Sequence, residues 1–218
     1  EAQQRFVSLA AHQLRNPVAA IHTMAEATQN AQTLQESKSR AETLVKGTRN
    51  AVRLTNQLLS FERAKGGIPK FEAVDFSELL QSVAQTVAPK ASSAEVDLEI
   101  VMDDVPSSFH GDQTLLREAL INLVENALLH GGKKISYIRV SVEKTATEIW
   151  LTVENNGNAI DPNNRQKIFE RFSQASHDTG AGLGLSIASE IAKLHGGAVE
   201  LQSLKPVRFT LRIANQTQ

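Results

Sequence analysis

The sequence contains no cysteine, which excludes disulfide bonds, thiolate metal sites and cysteine nucleophiles together. It also has little excess charge: 23 Lys and Arg residues against 24 Asp and Glu residues leave a net charge of -1. There is therefore no broad electrostatic case for binding nucleic acid or an anionic membrane. No apolar run approaches the ~20 residues of a membrane-spanning helix. Neither a methionine nor a signal peptide opens the chain, which begins with Glu1, so we expect a fragment of a longer protein.

Two long amphipathic helices are predicted at the start of the chain. The first runs from Glu1 to about Asn30 with Pro17 as its only breaker, and the second covers about 38–64, after a polar hairpin tip at 31–37. Their apolar stripes cannot both be buried within one hairpin, whereas two hairpins paired as a four-helix bundle bury them. We therefore predict a homodimer formed through this hairpin. The stripe on the second helix has spacings of three, four or seven: Leu44, Ala51, Leu54, Leu58 and Phe61.

A glycine- and proline-containing segment at 66–70 predicts a domain boundary. We place a helical domain at 1–65, a linker at 66–70 and a second domain at 71–218. The second domain mixes strands with helices, which is typical of an α+β sandwich with helices on one face of a mixed sheet. Its predicted strands are 71–74, 96–101, 135–143, 148–155, 199–203 and 207–213. Its predicted helices are one capped by Asp75 or Ser77 that runs to about Ala91, one from Asp112 to the Gly131-Gly132 pair, and the segments 165–172 and 183–195.

The first helix carries a histidine in the pattern Phe6-x5-His12-x-Leu14-Arg15-x-Pro17. A lone helical histidine is more often an ordinary surface residue, but this pattern resembles the phosphoacceptor box of sensor histidine kinases. In that family the histidine lies on a dimeric hairpin and takes the γ-phosphate of ATP on a ring nitrogen. The resemblance covers nearly the whole chain and implies a GHKL-type (Bergerat) ATP-binding fold for the second domain.

Two asparagines, Asn122 and Asn126, share one face of a predicted helix, although asparagine is a mediocre helix former. This resembles the N box of the ATPase superfamily that includes histidine kinases, gyrase and Hsp90. The resemblance implies that Asn126 gives an oxygen to Mg²⁺ and that Asn122 helps to hold the phosphates of ATP. Leu129 stands where the family often has a lysine, and we count the following His130 among the nucleotide-binding residues.

The segment Asn155-Asn156-Gly157-Asn158-Ala159 follows a predicted strand and resembles the first glycine box of the same family. There an aspartate accepts a hydrogen bond from the adenine amino group, and Asn155 replaces it. An amide oxygen accepts the same bond without a charge, and neutral hydrogen bonds are about half as strong as charge-assisted ones. We expect Asn155 and Gly157 to bind a nucleotide, with weakened affinity.

A second glycine run, Gly180-Ala181-Gly182-Leu183-Gly184, resembles the second glycine box, where backbone N–H groups and a helix N-terminus approach phosphates. The resemblance makes Gly180, Gly182, Leu183 and Gly184 nucleotide-binding residues. Before this run, Ile168 to Phe172 matches the family's F box, and Arg171 within it is a further candidate for phosphate binding. No P-loop pattern occurs in the sequence.

The chain departs from the family most clearly beside His12. The family usually has an acid next to the histidine, and here that residue is Gln13, which can hold a ring N–H but cannot act as a base. Asn16 matches the position that orients water for dephosphorylating the partner. The alternatives are therefore a kinase-impaired signalling scaffold or a mainly phosphatase protein. A gyrase-type ATPase is disfavoured, because the usual water-activating glutamate is missing at Asn122.

Taken together, the resemblance implies the catalytic core of a sensor histidine kinase. It would transfer the γ-phosphate of ATP, with Mg²⁺, to His12 and then to an aspartate on the receiver domain of a response regulator. We expect this fragment to be cytoplasmic and to bind neither nucleic acid nor membrane, while leaving open a membrane anchor elsewhere in the full-length protein.

Overall fold

The computed structural model describes residues 2–66, 69–102, 109–169 and 183–214. The chain divides into two compact units, Glu1–Leu59 and Ser60–Gln218. None of the described helices is both long enough and apolar enough to cross a membrane.

The first unit is a pair of long helices, α1 (Ala2–Gln29) and α2 (Leu34–Gly66). The two helices run antiparallel, because later residues of α2 contact earlier residues of α1. The Arg40 side chain donates to the Ala27 carbonyl, and Gly47, further along α2, lies against Ile21, further back along α1. Pro17 lies inside α1 without ending it. The predicted pair of helices is therefore present.

The turn between the helices is shorter than the predicted tip at 31–37. Thr33 Oγ1 accepts the N–H of Glu36 at 3.1 Å, and Glu36 Oε2 accepts the N–H of Gln32 at 3.1 Å. A threonine followed three residues later by a glutamate is a capping signal that starts a helix. Because of this cap, α2 begins at Leu34 rather than near Lys38.

Two apolar stripes run along α2. Leu44 and Ala51, from the predicted stripe, are half-buried together with Gly47 on the side that faces α1. The side chains of Leu54, Leu58 and Phe61 lie outside the described residues. A second stripe is exposed and repeats every seven residues: Val45, Val52 and Leu59 are 49%, 55% and 54% exposed.

The strands of the second unit, in its described part, are β1 (Glu72–Ala73), β2 (Asp97–Met102), β3 (His110–Gly111), β4 (Tyr137–Lys144), β5 (Glu148–Asn155), β6 (Ala198–Leu204) and β7 (Val207–Ala214). They form a five-stranded mixed sheet in the order β2-β4-β5-β7-β6 and a two-stranded sheet, β1-β3. Within the larger sheet β2 runs parallel to β4, and the other neighbours are antiparallel. The register of β6 on β7 shifts between Leu201 and Ser203. The helices described in this unit are α3 (Phe76–Ser93), α4 (Gln113–His130) and α5 (Gly184–Leu194).

The hydrophobic core lies between the three helices and one face of the sheet. Ile149, Leu151 and Val153 alternate along β5 toward this face and are at most 1% exposed. The helices contribute Leu120 of α4 and Ile187 of α5, both fully buried. This arrangement confirms the predicted α+β sandwich with helices on one face of a mixed sheet.

The opposite face of the sheet is charged, and its groups are paired. Arg212 of β7 donates from Nε to Glu148 of β5 at 3.0 Å and from Nη1 to Glu200 of β6 at 2.7 Å. Trp150 Nε1 also donates to Glu148 at 2.9 Å. The hydrogen bonds from Arg212 and Trp150 lower the pKa of Glu148, so three strands are tied together by ionised side chains.

Several predicted elements differ from those observed. The segment predicted as a helix at 165–172 contains, in its described part, a 3-10 turn at Lys167–Phe169, preceded by another at Pro162–Asn164. Asp161 and Pro162 initiate the first turn, since Asp161 Oδ1 accepts the N–H of Asn163. The strand β3 was not predicted, because two residues carry no readable alternation.

His195, which the sequence indicated only as a helix end, is a buried link between elements. Its Nδ1 donates to the Ile191 carbonyl at 2.8 Å, and its Nε2 accepts the N–H of Asp112 at 3.0 Å. The rings of Phe71 and Phe109 lie 5.2 and 6.4 Å from its ring. The neutral imidazole makes a hydrogen bond with each of its ring nitrogens, and burial lowers its pKa.

Acidification should therefore destabilise this unit through His195. Because its native pKa is lowered, the unfolded chain takes up a proton below its usual value of ~6.5 while the folded chain does not. We expect the free energy of unfolding to fall by up to about 1.4 kcal/mol per pH unit as the pH drops from ~6.5 toward the native pKa. Fluorescence of Trp150, the single tryptophan, reports the unfolding.

The variant His195→Gln keeps a hydrogen-bonding side chain that does not titrate, so it should flatten this pH dependence. His22→Gln is the matched control, because the His22 side chain is 74% exposed on α1. A His195→Gln protein with the wild-type slope would contradict the assignment to His195.

Candidate functional site

A cavity of about 350 Å³ lies beside the end of β5, between α4 and the start of α5. One part of its wall is apolar and comes from both strands and helices, and the other part carries amide side chains. The described lining residues are Asn126, Ala127, His130, Gly131, Asn155, Asn158, Ala159, Ile160, Asp161, Asn164, Ile168, Gly184, Leu185, Val207 and Phe209.

Helix α4 brings one of its two asparagines to this cavity. Asp112 caps the helix, as predicted, by accepting the N–H of Leu115 at 3.0 Å. Asn126 is half-buried and lines the cavity. Asn122, one turn earlier, is buried, donates to the Glu118 carbonyl at 2.9 Å and lies outside the described lining. The two asparagines therefore share a helix face but not the same surroundings.

The N-terminus of α5 lies directly against Asn126. A Cβ atom placed on Gly184 would be 3.1 Å from Asn126 Oδ1, so only a residue without a side chain fits comfortably. Leu183 occupies the N-cap position and gives no side-chain hydrogen bond to the helix. Within the described residues, the first N–H groups of α5 therefore have no side-chain cap, and such helix starts attract anions.

Asn155 is the buried polar residue of the cavity. It is the last residue of β5 and continues the core-facing register of Leu151 and Val153. It is 4% exposed, and its side-chain amide has no hydrogen-bond partner in the part of the chain that the structure describes. A buried amide without a partner costs about 1–3 kcal/mol, so this position favours a ligand that supplies the missing bonds.

Gly157 lies outside the described lining and acts by packing. A Cβ atom on it would be 2.5 Å from both Cα and O of Gly131, and the N–H of Asn158 donates to the Gly131 carbonyl at 2.8 Å. Gly132, with φ of +72°, has no room for a side chain either, since a Cβ atom there would be 2.2 Å from Asn158 Nδ2. The turn after β5 and the end of α4 are thus in backbone contact.

Glu154, next to Asn155, faces the opposite side of the sheet. Its carboxylate accepts Tyr137 Oη–H at 3.0 Å and Arg208 Nε–H at 2.7 Å, and Arg139 lies 3.8 Å away. Burial acts to raise the pKa of Glu154, but the hydrogen bonds from Arg208 and Tyr137 and the nearby positive charges outweigh it and lower the pKa. The ionised Glu154 joins β4, β5 and β7 and so fixes the position of Asn155.

The remaining predicted residues fall into two groups. Exposed His130, at the end of α4, lines the cavity, whereas Arg171, Gly180 and Gly182 lie outside the described residues. The phosphoacceptor candidates are on the other unit: His12, Gln13 and Asn16 belong to α1, and their side chains are outside the described part. His12 and Asn16 are four residues apart and therefore share a helix face.

Sequence reasoning missed the apolar wall of the cavity. Val207 and Phe209 of β7 line it because β7 pairs with β5, with Val207 opposite Asn155. Ile168 of the second 3-10 turn also lines the cavity, and the ring of the next residue, Phe169, meets Phe209 edge-on at 6.1 Å. The sequence showed the alternation of β7, but it did not show that β7 pairs with β5.

The cavity fits a nucleotide chemically. Its apolar walls suit a flat base. The Asn155 amide, which has no partner among the described residues, suits the polar edge of that base, and Asn126 with the start of α5 suits phosphates and a cation.

Family models match both units of the chain. Residues 2–67 match the His Kinase A (phospho-acceptor) domain, and residues 111–217 match the histidine kinase-, DNA gyrase B- and HSP90-like ATPase. The alginate biosynthesis sensor protein KinB of Pseudomonas aeruginosa is 31% identical over 208 residues, covering 92% of this chain and 35% of KinB. The chain spans 20 to 53% of the length of curated relatives that it matches.

Two solved structures share the fold. Histidine kinase ThkA, solved in complex with the response regulator protein TrrA, has a TM-score of 0.75 at 24% identity, covering 97% of this chain and 61% of ThkA. Full-length ShkA, solved in complex with AMPPNP, has a TM-score of 0.69 at 24% identity, covering 99% of this chain and 47% of ShkA.

The fold and the cavity define an ATPase-type domain that follows a helical hairpin. With a phospho-acceptor domain matched at the hairpin, the chain belongs to the histidine kinases. The predicted family and fold class are confirmed.

The contact between Gly157 and Gly131 should be intolerant of a methyl group. We expect Gly157→Ala to lower the free energy of unfolding by about 1–3 kcal/mol, because backbone atoms must move apart. Gly47→Ala in α2 is the matched control: its Cβ would make an ordinary 3.4 Å contact with Ile21, and alanine should stabilise the helix by about 0.5–1 kcal/mol. Denaturant unfolding of both variants measures this, and unchanged stability in Gly157→Ala would contradict the contact.

Proposed function

We propose that this chain is the catalytic core of a sensor histidine kinase, which transfers the γ-phosphoryl group of ATP to His12 and then to an aspartate of a response-regulator receiver domain. The observation that carries the proposal is the cavity itself. It has a buried amide at Asn155 that has no partner among the described residues and, against Asn126, a helix start whose N-cap residue Leu183 gives no side-chain hydrogen bond. These are the two kinds of group that a purine base and a chain of phosphates require.

The residues of this chain would act mainly by positioning, as in phosphoryl transfer generally. Asn155 holds the edge of the base beside the apolar wall formed by Val207 and Phe209. Asn126 gives an amide oxygen to Mg²⁺, and the N–H groups at Gly184 hold phosphate oxygens. ATP supplies the phosphoryl group. Further contacts to the nucleotide are proposed for Asn122, His130, Gly157, Arg171, Gly180, Gly182 and Leu183.

On the hairpin, a neutral ring nitrogen of His12 is the proposed nucleophile. Gln13 would orient the imidazole through a hydrogen bond to the other ring nitrogen. Asn16, on the same helix face as His12, would hold water for removing phosphate from the regulator. The chain would carry out these steps in the cytoplasm.

A homodimer is proposed through the hairpin. The exposed stripe Val45, Val52 and Leu59 repeats every seven residues, which is the repeat of helices that pack against a partner helix. Val18 of α1 is also 57% exposed. The proposed regulator partner is supported by the ThkA structure, which was solved with TrrA.

A second function, a mainly phosphatase or kinase-impaired protein, is favoured by one specific observation. Gln13 stands beside His12 where the family usually has an acid. A general base contributes about 10²–10⁴-fold to a reaction rate, so its loss would slow phosphorylation and leave the dephosphorylation proposed for Asn16 intact.

Incubation with γ-labelled ATP and Mg²⁺ tests the first function. We expect an acid-labile label on the wild-type chain, because a phosphorylated imidazole is the proposed product, and no label on His12→Ala. His22→Ala is the matched control, since His22 lies on the same helix with its side chain 74% exposed. Label that persists in His12→Ala would place the acceptor elsewhere.

Gln13→Glu distinguishes the two functions. If the missing base limits the forward reaction, this variant should accelerate autophosphorylation at saturating ATP by about 10²-fold, the lower end of the general-base range. If nucleotide binding limits it instead, Asn155→Asp should lower KM for ATP and leave the saturated rate unchanged. The absence of any gain from Gln13→Glu at saturating ATP argues against the general-base explanation.

A further inference from the structure

The Asn155 amide also bears on which purine the cavity accepts. The side chain is 4% exposed, lines the cavity and has no hydrogen-bond partner in the described part of the chain. No described neighbour therefore fixes which way the amide oxygen and nitrogen point. Which base the cavity accepts depends on the proposed nucleotide-binding function, on which this inference rests.

A carboxylate and an amide differ in what they demand of a base. An ionised carboxylate only accepts hydrogen bonds, so it favours the 6-amino group of adenine and repels the 6-oxo group of guanine or hypoxanthine. An amide accepts through Oδ1 and donates through Nδ2. In one orientation Asn155 accepts from the adenine amino group and donates to N1. Rotated by 180°, it donates to a 6-oxo group and accepts from the N1–H of guanine.

The rest of the described lining adds little preference for either base. Asp161 is the one carboxylate among these residues, and it is exposed and already caps the turn through Asn163. The other side chains near the strand ends are apolar, such as Val207 and Phe209, or are amides themselves. The hydrogen-bonding preference at the buried end of the cavity is therefore that of Asn155.

We propose that this cavity binds 6-oxopurine nucleotides, with guanine or hypoxanthine as base, as well as adenine nucleotides. The replacement of a carboxylate by Asn155 removes the repulsion that excludes a 6-oxo group. The protein thus accepts two classes of purine nucleotide at the same site.

Calorimetric titration of the whole chain with ADP, GDP and IDP in the presence of Mg²⁺ tests this. We expect GDP and IDP to bind within about tenfold of ADP. Asn155→Asp should strengthen ADP and weaken both 6-oxo nucleotides, changing the ratio of dissociation constants by about 10- to 100-fold. Asn158→Asp is the matched control: it adds the same charge at an exposed lining position and should leave the ratio unchanged.

The outcomes separate the two proposals. Binding of ADP with 6-oxo nucleotides more than about 100-fold weaker in the wild type overturns this inference and leaves the proposed function standing. No binding of any nucleotide overturns the proposed function and this inference with it. Binding of IDP but not GDP supports the inference, because the 6-oxo group is then accepted and only the 2-amino group is excluded. If Asn155→Asp does not fold, the ratio of the dissociation constants of the 6-oxo nucleotides and ADP in the wild-type protein tests the inference. Asn155→Ala should then weaken the binding of both classes of purine nucleotide about equally.

Discussion

Backbone contact between the end of α4 and the turn after β5 determines where the walls of the cavity stand. Gly157 and Gly131 approach so closely that neither a side chain nor water fits between them. The contact brings Asn126, His130 and Asn155 to one cavity although they come from a helix and a strand. Because this contact is made by backbone atoms, side-chain rotamers do not set the distance between the end of α4 and the turn after β5.

Neighbouring residues on β5 show how the sheet separates two kinds of polar group. Glu154 is ionised and fully paired on one face, whereas Asn155 on the other face is neutral and has no partner in the part of the chain that the structure describes. Strand alternation alone puts them on opposite faces. The paired residue holds the strand in register, and the unpaired residue is thereby kept available to a ligand. The role of Asn155 therefore depends on that of Glu154, because an amide can serve a ligand only if its position is fixed.

Local signals predicted most of the fold. The cap at Asp112, the alternation of β4 and β5 and the Gly131-Gly132 pair that ends α4 are local signals, and these elements were found. Features that depend on distant partners were not readable. The pairing of β1 with β3 and the place of Val207 opposite Asn155 follow from how the sheets are assembled.

The site could be predicted in type but not in detail. Helical spacing placed Asn122 and Asn126 on one face, yet one helical turn is enough to put Asn122 outside the described lining. The paired roles of His195 were also invisible, because a histidine at a helix end gives no hint of a bond to Asp112 of another helix.

The shifted register of β6 has a consequence for self-association. β2 and β6 are the outer strands of the described five-stranded sheet, and an outer strand with a regular free edge invites a second sheet to extend it. The irregularity between Leu201 and Ser203 bends one edge, and the exposed acids Asp97 and Glu99 lie on the other. Such edges resist intermolecular strand addition, so the five-stranded sheet can remain unextended even at high local concentration.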